Sequence, residues 1–113
     1  MMEIRCWEGL NGRKPVKEWL VELKRRDDVG FKRVDKLLGL LRTLGREMGL
    51  PGCKHLGDGL YELRDMGRGA GLRLYFTWVD DVLVLLLAAG DKSSQERDID
   101  TARRRKLNLP DSP

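Results

Sequence analysis

The chain has 113 residues, 41% of them hydrophobic, which supports one compact core over 1–113 and is too little for two. Its 22 Lys and Arg against 18 Asp and Glu leave a formal charge of +4, a mild excess that permits a nucleic-acid partner without demanding one. The 2 cysteines, Cys6 and Cys53, stand in no CxxC or Cys/His spacing and His55 is the only imidazole, so neither a metal nor another cofactor is expected. Nothing before Cys6 reads as a secretory signal, and reduced thiols in the cytoplasm follow as the expectation. The apolar run from Val82 to Ala89 is far shorter than the roughly 20 residues of a membrane helix, so it reads as a buried strand and no membrane partner is expected.

The opening alternation around Ile4 and Cys6 predicts an initial strand. Asn11, Gly12 and Pro15 then form a turn and a helix start, after which Val16, Trp19, Leu20 and Leu23 fall at i, i+3, i+4 and i+7. Asp27 and Asp28 are suited to cap a second helix. Its apolar residues Phe31, Val34, Leu37, Leu38, Leu41 and Leu44 repeat with helical period until Gly45 and Gly49 stop it. A link this tight makes the pair a helical hairpin. From Leu50 to Gly59, Pro51 and the glycines predict a loop carrying His55 and Leu56.

From Leu60 the period changes to two. Tyr61 and Leu63 share one face, Glu62 and Arg64 the other. In the next strand Leu72, Leu74, Phe76 and Trp78 oppose Arg73, Tyr75 and Thr77. Gly67, Gly69 and Gly71 join these strands with no helix following, so they read as a hairpin connection and not as a nucleotide loop. Asp80-Asp81 suits a tight turn into the central apolar strand, which Gly90, Asp91 and Lys92 end. Ser93 and Glu96 have capping-box spacing for a last helix from Ser94 to about Lys106, with a thin apolar stripe of Ile99 and Ala102, and Leu107 beyond. A frayed tail is expected after Pro110. The order gives an α+β fold: N-terminal strand, helical hairpin, small twisted and mostly antiparallel sheet, C-terminal helix.

Alternation aligns Arg64 with Arg73 and places Lys92 at the end of a neighbouring strand. Such a trio can grip one phosphate, because an arginine fork pairs with phosphate oxygens and can stabilise the charge of a five-coordinate phosphorus. The same residues can equally be outward charges on a solvated face, satisfied by Glu62 and Asp65. Glu62 is a candidate for proton transfer or for orienting the two arginines, and His55 is a candidate proton shuttle or an exposed loop residue. Tyr75 is placed to stack a base or to pack across strands. The basic run from Arg103 to Lys106 reads as a phosphate track or a solvated helix face. Lys54 and Gln95, at the two ends of the charged region, complete the candidate contacts to a nucleic-acid backbone. Trp7, Trp19 and Trp78 read as core or interface.

The stretches KHLGDGLYELR at Lys54 to Arg64, GLRLYF at Gly71 to Phe76, VLLLAAGDKSSQ at Val84 to Gln95 and DIDTAR at Asp98 to Arg103 together resemble the RelE/ParE toxin superfamily, in particular its phage-derived HigB-like addiction-module branch. With the helical hairpin, they span nearly the whole chain. The resemblance implies a RelE-like fold and a toxin neutralised by a cognate antitoxin, a helix-turn-helix protein from the adjacent gene. For RelE-like members it implies metal-independent cleavage of mRNA on the ribosome, the messenger 2′-hydroxyl attacking the adjacent phosphate. It implies Arg73 and Lys92 as contacts of the transition state and Arg64 as a contact of the backbone. The sequence departs from RelE at Glu62, where RelE has a second basic residue, and at Asp98, where RelE has a tyrosine. ParE-type members act on DNA gyrase without being nucleases, and an inactive mobile-element remnant that still binds antitoxin is a further alternative.

Overall fold

A computed structural model describes residues 2–67 and 69–109. The chain runs β1 (Glu3–Cys6), α1 (Pro15–Arg26), α2 (Asp28–Leu44), a 3-10 turn, β2 (Cys53–Gly57), β3 (Leu60–Arg64), β4 (Arg73–Trp78), β5 (Leu83–Gly90), a second 3-10 turn and α3 (Gln95–Leu107). The five strands form one sheet in the order β1-β5-β4-β3-β2. β1 lies parallel to β5, and the other neighbours are antiparallel. The α+β architecture is the one the alternation and periodicity predict. The tail expected after Pro110 lies outside the described residues. No helix among the described residues is long and apolar enough to cross a membrane.

The hairpin forms because its helices start and stop on local chemistry. Pro15 opens α1, where its missing N–H removes nothing and its fixed φ suits the first turn. The Asp27 carboxylate accepts from the Gly30 N–H at 3.0 Å and caps α2. Gly45, at φ +57°, ends α2 where a side chain would be strained. The inward stripes then bury Val16, Leu23, Val34, Leu38 and Leu41 against Leu63, Leu74, Phe76, Val84 and Leu86 of the sheet. The opposite face is covered by α3 over Leu60, Tyr75, Leu87, Ala88 and Ala102.

Two local expectations change, and one irregularity is added. The loop drawn from Leu50 to Gly59 contains β2, an edge strand paired with β3 through Cys53, Lys54, His55 and Gly57. The signal was Asp58-Gly59, both at positive φ (52° and 75°), the backbone that a two-residue hairpin turn requires. The C-terminal helix begins at Gln95, beside the expected Ser94, but the capping box sits on the 3-10 turn Lys92–Ser94 before it and is made by Asp91 and Ser94, not by Ser93 and Glu96. Asp91 accepts from the backbone of Ser93 (2.8 Å) and Ser94 (3.3 Å), while the Ser94 hydroxyl accepts from the Asp91 N–H. Bonding to the Ser93 hydroxyl, chiefly, lowers the Asp91 carboxyl below its ordinary pKa. Finally, the pairing of β4 with β5 slips between Tyr75↔Ala88 and Phe76↔Leu86, leaving Leu87 as an extra residue. The bulge puts two consecutive residues, Leu87 and Ala88, against α3, while Val84, Leu86 and Ala89 meet the hairpin side.

Candidate functional site

Register places the candidate residues before any side chain is considered. Arg64 lies opposite Arg73, Glu62 opposite Tyr75, and Lys54 opposite Glu62. Gly90 lies opposite Arg73 on the other side, so the Lys92 that follows β5 is two residues from the same row. All of these strand positions belong to the parity that faces α3.

Glu62 is the centre of the cluster and is only 1% exposed. Its Oε1 lies 3.0 Å from Arg64 Nε, while Oε2 accepts from Gln95 Nε2 at 3.0 Å and lies 3.6 Å from Arg73 Nε. Oε2 is hydrogen-bonded by Gln95 and both oxygens are ion-paired, without a well-formed Nε–H hydrogen bond from either arginine among the described residues, so Glu62 sets two guanidinium groups around one buried charge. Arg73 is the deeper of the two, with a side chain 9% exposed against 28% for Arg64. Its Nη1 also donates to the Gly71 carbonyl at 3.2 Å.

Gly71 is the seam at which Arg73 meets Lys92. Its φ is +69°, and a β-carbon there would lie 3.1 Å from Lys92 Cβ and 3.4 Å from Arg73 Nη1. The Lys92 backbone N–H donates to the Ala70 carbonyl at 3.1 Å, which fixes the loop against the end of β5. The Lys92 side chain is exposed.

The structure thus brings together Arg64, Arg73, Glu62 and Gln95, with Lys92 beside them and exposed Lys54 at the sheet edge. Three other expectations are corrected. His55 has the opposite parity from Lys54 and stacks on Tyr61 with ring centroids 4.5 Å apart, so it sits on the hairpin side, away from Glu62. Tyr75 is completely buried under α3 and cannot stack on a base. Loss of water, and then the charge of Glu62, raise its phenol pKa well above the ordinary range, and its hydroxyl has no well-formed hydrogen bond among the described residues. Arg103 is committed to the fold: it donates to the carbonyls of Leu56 (3.0 Å) and Gly57 (3.5 Å). Arg105 does similar work, donating to the Leu87 carbonyl at 2.7 Å and lying 4.5 Å from the centroid of the Trp7 ring. The basic run is thus in large part a set of pins that hold a thinly apolar helix to the sheet.

Asp98 enters the site as an acid that charge patterning did not single out for a role. It accepts from the Ser94 hydroxyl and sits directly over Gly90, where a β-carbon would come within 1.9 Å of its Oδ2. The available signal was a glycine ending β5 with Ser94 and Asp98 at i, i+4 on the helix that follows. Asp98 is itself ion-paired with exposed Arg97 at 4.0 Å, so Arg64, Arg73, Lys92 and Arg97 stand against Glu62 and Asp98, and Arg64 and Lys92 are the strand-end cations open to an anion.

A family profile described as "Phage derived protein Gp49-like" matches residues 18–107, from the first turn of α1 to the end of α3. The chain belongs to this Gp49-like family. It is a toxin-like family related to RelE, and the match takes in all the residues of the Glu62 cluster. A Haemophilus influenzae protein named only as uncharacterized is 46% identical over 50 residues, 44% of this chain and 50% of that protein. The chain therefore spans about half the length of this curated relative.

Proposed function

We propose that this Gp49-like chain is the toxin of a type II toxin-antitoxin pair, of the HigB-like kind, and that it cleaves mRNA in the ribosome without a metal ion. The observation that carries the reading is the pair of arginines held side by side by one buried carboxylate, with Lys92 next to them. In this reading Arg64 and Lys92 receive the scissile phosphate at the surface, and Arg73 supports it from beneath. As the 2′-oxygen bonds to phosphorus and the bond to the 5′-oxygen breaks, leaving a 2′,3′-cyclic phosphate and a 5′-hydroxyl, the negative charge growing on the phosphoryl oxygens is met by donors that need no rearrangement. Glu62 and Gln95 are positioning residues, and Lys54 extends the contact along the RNA backbone. The ribosome supplies the orientation of the messenger, so a small constellation suffices. His55 lies on the opposite face of the sheet, so in this reading the 2′-hydroxyl proton passes to water and water protonates the leaving 5′-oxygen. The cognate antitoxin is the expected protein partner.

The burial of Arg73 favours a second reading, a non-enzymatic toxin that acts by binding a protein such as gyrase. An extract supplemented with the purified chain separates the two. Cleavage of messenger during translation, absent without ribosomes and lost in Arg64→Ala, supports the nuclease; intact messenger together with altered DNA topoisomers supports the second reading.

A further inference from the structure

β1 is an outer strand of the sheet, bonded on one side only, to β5. The Glu3 N–H donates to the Val82 carbonyl at 2.6 Å and the Trp7 N–H to the Leu86 carbonyl at 2.8 Å, so the odd-numbered peptide groups face β5. Peptide groups alternate along a strand, and the N–H and C=O of Ile4 and Cys6 therefore point to the open edge. The side chains alternate as well. Ile4 and Cys6 pack on the hairpin core, whereas Glu3 and Arg5 stand on the opposite face, where α3 leaves their side chains 54% and 64% exposed.

An edge of this kind is a template for another strand unless something opposes it. At the far edge of the sheet addition is opposed, because Arg103 already occupies the carbonyls of Leu56 and Gly57 in β2. The β1 edge carries instead a charge pattern that fits itself. When two copies of β1 lie antiparallel about a two-fold axis at Ile4, Ile4 exchanges both backbone bonds with Ile4 of the second copy, and Met2 faces Cys6. In the same register each Glu3 lies opposite Arg5 of the second copy, at the non-hydrogen-bonded positions where facing side chains are closest. The contact between Arg5 and Glu3 within one chain, at 2.8 Å, is kept: the four groups form a square in which every neighbour has the opposite sign. An axis at Glu3 sets Glu3 against itself, and an axis at Arg5 sets Arg5 against itself. Charge thus selects the register centred on Ile4.

We propose that the chain associates with a second copy of itself through β1, as a two-fold dimer in which one sheet runs through both molecules. The opposed edge at β2 keeps the assembly closed at two copies and prevents growth into a filament. The interface is small, so the dimer is a weak one, formed on the order of 10–100 µM. β3 and β4, which carry Glu62, Arg64 and Arg73, lie on the other side of β5 from this edge, so the dimer leaves the cluster open. The proposal therefore stands or falls independently of the nuclease reading.

The test is sedimentation equilibrium of the full chain across that range. The weight-average mass is expected to climb from 13.0 kDa towards twice that value. Glu3→Arg and Arg5→Glu are each expected to weaken association about tenfold or more, because either change sets like charges opposite each other across the axis. Both sites are exposed, so the fold is kept, which far-UV circular dichroism checks. An equimolar mixture of the two variants is expected to associate again, since one strand is then wholly basic and the other wholly acidic at these positions. A mass of 13.0 kDa throughout, association indifferent to either single variant, or a mixture that stays monomeric would overturn the proposal. A dimer lost in Leu40→Glu on α2 but kept in Arg5→Glu would place the contact on the other side of the molecule and overturn it too.

Discussion

The two faces of the sheet are closed by different means. Under the hairpin, α1 and α2 present continuous apolar stripes to Leu63, Leu74, Phe76 and Leu86, so stability there comes from removing aliphatic and aromatic surface from water. Under α3 the sheet presents Glu62, Arg73, Thr77 and Tyr75, and the helix offers little apolar surface beyond Ile99 and Ala102. That face is held by directed contacts instead: Gln95 to Glu62, Arg103 to Leu56 and Gly57, and Arg105 to Leu87. One face makes the fold. The other keeps charged groups dry and aligned, and so carries the candidate site.

The largest expected effect lies on the hairpin face. Phe76→Ala should cost about 4 kcal/mol, read from the urea midpoint, because a fully buried ring leaves a cavity. A loss below about 1 kcal/mol would mean that this face is not the principal core. On the α3 face, Arg73→Ala should cost about 3 kcal/mol, since Glu62 keeps its burial and loses a cation. The double variant Glu62→Leu/Arg73→Met should be more stable than Arg73→Ala alone. If it is less stable, packing and not charge balance holds that face.

Alkaline titration sharpens the contrast at a smaller scale. Burial, and secondarily the charge of Glu62, raise the Cys53 thiol from 9.0 to about 11. A raised acid favours the protonated native state, so this contribution is complete below pH 9.0 and is lost as the pH climbs towards about 11. The loss is on the order of 2 kcal/mol, and the slope of stability against pH in that window should flatten in Cys53→Ala. The smallest expected change is Tyr75→Phe. The variant keeps the buried ring and removes a hydroxyl that lacks a well-formed hydrogen bond among the described residues, so the stability should shift by less than about 0.5 kcal/mol. A loss of about 2 kcal/mol would show that the hydroxyl belongs to the Glu62 network.

The same contrast explains what the sequence disclosed. The hairpin face was legible because its apolar residues keep strict periods of 3.6 in α1 and α2 and of 2 in β3 and β4. The alignment of Arg64 with Arg73 was legible for the same reason, and the register confirms it. The α3 face was not, because helix docking through arginine-to-carbonyl bonds leaves no apolar pattern, and a row of Arg, Glu and Tyr then reads as a solvated surface. β2 was lost because its five residues expose a Lys and a His and pair through the backbone. The parity of His55, and with it its distance from Glu62, depended on recognising that strand.

The central claim is that the Glu62-aligned cations serve an RNA phosphate, and the most direct measurement is the rate of messenger cleavage in a translating extract by the wild-type chain and by Lys92→Ala. Lys92 is exposed and its side chain supports nothing in the core, so the variant should fold normally. The account predicts cleavage by the wild type and a loss of about a hundredfold or more in the variant. Equal cleavage by both folded proteins would contradict it.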